Sequence, residues 1–191
     1  RATVENDEEI LLEWQKITTG NPKSIIIDKA TNNDPFSILT KTGPEGSSYI
    51  DNLVNVDKNP YRYQIRVVDS CDHESPSSNM GKTILLKSKL GDKYPLLNWT
   101  AYEHWNQGVE SYKIQIFDEG LSAFTFIDEK QSLDSSSLKY EDRLTNLNQE
   151  TYCYRIVGIR KGDQLESASN ISCVETTFTL FAPNSFTPNG D

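Results

Sequence analysis

Histidine, cysteine, cationic charge and long apolar runs are all scarce in this chain, and each scarcity removes a class of function. There are two histidines in 191 residues, His73 and His104, and neither has a partner at metal-ligand spacing. Cys71, Asp72 and His73 are adjacent, but a nucleophile and its base normally come from distant segments. No catalytic residue and no cofactor are expected. The acidic turns at residues 31–35 and 118–120 lack the regular spacing of a calcium loop, so no metal is expected either. No apolar run approaches the roughly 20 residues of a membrane-spanning helix, and no transmembrane segment is expected. Nineteen Lys and Arg face 28 Asp and Glu, a net charge of −9 that a phosphate backbone or anionic membrane would repel. Nucleic acid is therefore not an expected partner.

Apolar residues at helical spacing are missing as well, and alternation takes their place. Tyr61, Tyr63, Ile65 and Val67 alternate with Arg62, Gln64 and Arg66. Tyr112, Ile114 and Ile116 alternate with Lys113 and Gln115, and Tyr152, Tyr154 and Ile156 with Cys153 and Arg155. Alternation of this kind marks half-buried strands, and the clusters between the runs are turn-rich. The chain reads as all-β.

An internal repeat sharpens that reading. Residues 49–68 align without gaps with residues 140–159, 91 positions on, and Tyr49, Asp51, Leu53, Asn55, Tyr61, Tyr63 and Ile65 recur as Tyr140, Asp142, Leu144, Asn146, Tyr152, Tyr154 and Ile156. "LLEW" ending at Trp14 matches "LLNW" ending at Trp99, and "SSN" ending at Asn79 matches "ASN" ending at Asn170. Each copy thus holds about seven strands in roughly 90 residues, the size of an immunoglobulin-like sandwich.

A Trp on the second strand, followed by Leu, a turn and Tyr-x-Tyr-x-Ile, resembles fibronectin type III domains. The resemblance implies two tandem sandwiches, residues 1–87 and 88–181, with Trp14 and Trp99 plugging their cores. It also implies that Tyr61 and Tyr152 make the corner hydrogen bond that opens the sixth strand. No flexible spacer lies between Lys87 and Tyr94, so a short, stiff junction and an end-to-end pair are expected.

In such a sandwich the strands carrying Cys153 and Cys173 are neighbours, and both residues fall out of phase with the inward Tyr152, Tyr154 and Ile156. Copy one has Arg62 and Lys82 at the equivalent sites, so both cysteines are absent there together. Joint absence is what a Cys153–Cys173 disulfide predicts. Such a bond closes a 20-residue loop for about 3 kcal/mol and places the protein outside the cytoplasm. Cys71 has no counterpart, and reads either as an unpaired thiol or as bonded to an upstream domain. Tyr102, His104 and Trp105 share a loop that either offers ring faces to a glycan or protein partner or packs back on its own domain. The sequons at Asn98 and Asn170 are too common by chance to carry weight.

Residues 182–191, "APNSFTPNGD", closely resemble the opening of the gliding-motility-associated C-terminal domain, the type B sorting signal of the Bacteroidota type IX secretion system. Phe186, Pro188, Asn189, Gly190 and Asp191 match the motif, and the remainder of that domain is missing. Arg1 at one end and this run at the other read as a piece of a longer protein. The resemblance implies a non-catalytic stalk segment of a secreted cell-surface protein, akin to a gliding adhesin. Its partners would be the secretion machinery and an outer-membrane anchor protein, met through the missing domain. The alternative is an accessory module of a secreted polysaccharide-degrading enzyme.

Overall fold

The computed structural model describes residues 1–18, 20–103, 105–132, 138–145 and 149–176. Every regular element among them is a strand, and every pairing is antiparallel. In copy one, β1 (Ala2–Glu5), β2 (Glu9–Glu13) and β5 (Ser48–Asp51) form a sheet in the order β1-β2-β5. Facing it is a sheet in the order β4-β3-β6-β7, built from β3 (Pro22–Thr31), β4 (Ser37–Thr42), β6 (Tyr61–Asp69) and β7 (Gly81–Lys82). Copy two repeats the plan. Strands β8 (Leu86–Leu90), β9 (Pro95–Trp99) and β12 (Lys139–Glu141) are ordered β12-β9-β8. The opposing sheet runs β11-β10-β13-β14, from β10 (Val109–Asp118), β11 (Ala123–Gln131), β13 (Thr151–Arg160) and β14 (Glu166–Ala168), with β15 (Ser172–Glu175) also paired to β13. The chain forms two tandem immunoglobulin-like β-sandwiches.

The alternating residues explain the two cores. Ile10, Leu12, Ile25, Ile27, Tyr61 and Tyr63 meet in one cluster; Leu97, Trp99, Tyr112, Ile114, Tyr154 and Ile156 meet in the other. Their polar neighbours point the other way, as a two-residue period requires. The copies agree even in irregularities: β3 slips register between Pro22 and Ser24 against β6, and β10 slips between Val109 and Ser111 against β13.

The shared Asp and Tyr of the repeat also acquire a common role. Tyr63 Oη donates to Asp51 Oδ2 at 2.7 Å, and Tyr154 Oη donates to Asp142 Oδ2 at 2.9 Å, all within the interior. The other carboxylate oxygen of each accepts main-chain N–H groups, Leu53 at 3.0 Å in copy one, and Leu144 at 3.0 Å and Thr145 at 3.1 Å in copy two. A buried carboxylate thereby ties the turn after β5 or β12 to the Tyr strand. Burial first, and the adjacent carboxylate second, push both phenols far above the ordinary tyrosine range.

Cys153 and Cys173 lie opposite each other on β13 and β15 and form a disulfide with S–S 2.06 Å. Cys71 is a free, exposed thiol.

The junction departs from the end-to-end expectation. The chain leaves copy one's sheet at Lys82 and enters copy two's at Leu86, so the anticipated division at 87/88 falls inside β8. Strand β1 then runs alongside residues 166–171 of copy two. Ser167 Oγ donates to Ala2 O at 2.8 Å, Ala168 N to Thr3 Oγ1 at 2.8 Å, and Ile171 N to Asp7 Oδ1 at 2.6 Å. Thr3, on the outer face of an edge strand, is only 2% exposed, and Ser167 is fully buried. The edge that a lone sandwich would leave open is covered by its neighbour.

Asn170 completes this seam. Its Oδ1 accepts Leu86 N at 2.7 Å, while its Nδ2 donates to Leu86 O at 3.1 Å and to Asp57 Oδ1 of copy one at 3.2 Å. A buried, fully engaged amide of this kind is a structural clamp rather than a glycan acceptor.

Candidate binding cleft between the sandwiches

Where β1, the end of β2 and β7 of copy one meet two loops of copy two, the structure encloses a cleft of about 490 Å³. Its apolar wall includes Trp14, Met80, Tyr102 and Trp105, and its polar wall includes Arg1, Glu13, Gln64 and Arg160.

The two tryptophans expected as core plugs have different positions. Trp99 is buried and meets Tyr112 edge-on, with ring centroids 5.8 Å apart. Trp14 follows the last residue of β2, is half-buried, and packs on the margin of the first core. Its indole N–H donates to Gly46 O at 3.1 Å, and the residue also lines the cleft. Of the corner tyrosines, Tyr61 Oη accepts Asn55 N at 2.7 Å and Tyr152 Oη accepts Gln149 N at 2.6 Å, and both rings are buried.

Tyr102 and Trp105 are brought together with centroids 3.9 Å apart, and both are buried, so their ring faces are taken up by packing. Tyr102 also holds the two copies together: its oxygen accepts Ala2 N from copy one at 3.1 Å. Burial pushes its pKa up to about 12, so the phenol stays neutral. Trp105 differs, since its indole N–H is buried without an acceptor. His104 and the run Phe186 to Asp191 lie outside the described residues.

Both guanidiniums of the cleft are ion-paired, and the α-ammonium of Arg1 lies beside them, donating to Glu13 O at 2.5 Å with its pKa lowered by burial. Arg1 Nε pairs with Glu13, and its Nη1 donates to Glu166 O at 2.5 Å. Arg160 is bonded through Nε and Nη2 to Asp163, whose pKa it lowers to about 2. Each guanidinium retains N–H groups beyond those pairs, because arginine carries five. Sequence reasoning found Tyr102 and Trp105 but missed Arg1, Gln64, Met80 and Arg160. Those residues come from distant segments that only the seam brings together.

Among the described residues no His, Cys, Asp and Glu cluster is arranged to hold a metal, and no helix is long and apolar enough to cross a membrane. The fold is a tandem β-sandwich pair with a cleft between its halves. No protein-family model matches the sequence, and no curated protein matches it. Among solved structures, a two-domain fibronectin type III segment of chicken tenascin is 13% identical with a TM-score of 0.37, over 92% of this chain and 97% of that one. The chicken CNTN1 FN1–FN3 domains are 16% identical with a TM-score of 0.35, over 91% of this chain and 64% of that one.

Proposed function

We propose that this chain is a non-catalytic spacer segment of a large secreted, surface-exposed protein of the gliding-adhesin kind. The observation that carries the reading is the buried seam between the two sandwiches. It replaces a flexible hinge with main-chain and side-chain bonds and so keeps two modules in one fixed relation. A cross-strand disulfide suits an oxidising, extracellular setting. Export falls to the sorting domain that residues 182–191 resemble, through the type IX machinery and an outer-membrane anchor protein.

The test attaches a reporter to this chain, with and without its native downstream sequence, in a type IX-secreting host. Export only with the downstream sequence is the expected result. Export of the short form, or of neither, refutes the assignment.

A further inference from the structure

We propose that the cleft between the sandwiches is a binding site for a short neutral saccharide. The inference stands on the cleft's own chemistry and does not depend on the spacer reading or on the route of export.

Its size and place suit a small ligand. About 490 Å³ falls within the range of roughly 300–1,000 Å³ in which small-molecule sites lie, and such sites favour domain interfaces. The wall then selects the ligand by three properties. Trp14 contributes indole surface, and the bond from its N–H to Gly46 O fixes the ring before anything arrives. A rigid aromatic surface suits a ligand with one apolar face, such as the C–H face of a pyranose.

Second, the wall is rich in donors still open to an oxygen acceptor. Arg1 and Arg160 keep the N–H groups left over from their ion pairs. The Gln64 amide makes only a long 3.4 Å contact, to Asp28. Hydroxyl oxygens of a sugar are acceptors for such donors.

Third, the guanidiniums of the wall are already paired with carboxylates. Arg1 is matched by Glu13 and Arg160 by Asp163, and the Tyr102 phenol, with a pKa of about 12, is uncharged at physiological pH. The chain charge of −9 around it disfavours the approach of an anionic ligand. An extended peptide fits less well, because strand addition needs open main chain. Here Ala2 N is bonded to Tyr102, Ser78 N to Ile65 O, and Ile65 N to Ser78 Oγ.

The experiment titrates the whole chain with hexaoses of β-1,4-glucose, β-1,3-glucose, β-1,4-mannose and β-1,4-xylose. A galacturonate hexaose and an unrelated hexapeptide run in parallel, and calorimetry and tryptophan fluorescence are both read. Saturable binding of at least one neutral hexaose is expected, with Kd between about 10 µM and 1 mM. Gln64→Ala and Arg160→Lys, on the rim rather than in a core, should weaken it at least tenfold. Leu53→Ser, an exposed residue that does not line the cleft, should leave it unchanged. The thermal midpoint of each variant separates lost binding from lost folding. The proposal is overturned by no neutral binding up to about 5 mM, by binding of only the acidic or peptide probe, or by equal binding in the folded rim variants.

Discussion

Replacing Tyr154 by Phe removes one oxygen and nothing else, and the structure says how much that oxygen contributes. Its hydroxyl donates to Asp142 Oδ2 at 2.9 Å, and Asp142 is fully buried. A hydrogen bond to a charged group stabilises by about 1.5–3 kcal/mol, and its loss here leaves a buried carboxylate oxygen without that donor. Copy one supplies an internal control. Tyr63→Phe deletes the same bond to Asp51, yet Asp51 Oδ2 also receives Lys29 Nζ at 2.7 Å. In copy two the residue paired with Tyr154 at that place is Ile116, which brings no charge, where Lys29 is paired with Tyr63. Tyr154→Phe should therefore cost about 2–3 kcal/mol and Tyr63→Phe about 1 kcal/mol, since the remaining cation keeps Asp51 compensated. Urea unfolding of the oxidised protein, followed by circular dichroism, measures both. Thermal midpoints should fall by several degrees for Tyr154→Phe, at roughly 2–4 °C per kcal/mol for a chain of this length. Equal costs, or a larger cost for Tyr63→Phe, would refute the argument that Lys29 compensates Asp51.

Three further outcomes are expected. Replacing both Cys153 and Cys173 by Ser should lower stability by about 3 kcal/mol through the 20-residue loop, and thiol counting on the unfolded, unreduced protein should find one thiol, Cys71. Tyr63, Tyr102, Tyr112, Tyr140 and Tyr154 all have raised pKa values in the folded state, mainly through burial. Their contribution is complete below the unfolded pKa of about 10 and is lost as pH rises beyond it, by up to about 1.4 kcal/mol per pH unit for each; a flat stability profile from pH 9 to 11 would contradict this. Asp28 behaves oppositely. Its hydrogen bonds from Arg66, at 2.8 and 2.9 Å, lower its pKa, so its contribution holds above about pH 4 and fades as pH falls through the lower folded value. Asp28→Asn should flatten that part of the acid limb.

Strand periodicity and the repeat were legible because each is local: alternation reports a face, and a constant offset reports a second copy. The disulfide was legible for the same reason, through two sites that changed together. The identity of Asp51 with Asp142 was visible too, but not its meaning, since a lone aspartate in a turn reads as solvated. Only the fold places a Tyr hydroxyl on it. The seam was illegible for a different cause. Nothing in Ala2, Thr3 and Val4 tells that an edge strand is covered on its outer side, because the covering residues lie some 165 positions away. Trp14 is a further instance: its indole N–H meets an acceptor at Gly46, in another turn, while its ring packs on the margin of the core.

The seam bears on how such a protein can grow. The flank of copy two that covers β1 is shaped by Asn170, Ser167 and Ile171 for contacts with Asp57, Ala2 and Asp7. Duplicating one sandwich alone would produce a third module whose first strand has no matching flank to lie on. Insertion or loss in steps of two sandwiches keeps every such strand covered. An array built by repeating this chain would keep every such strand covered only by gaining or losing sandwiches in pairs.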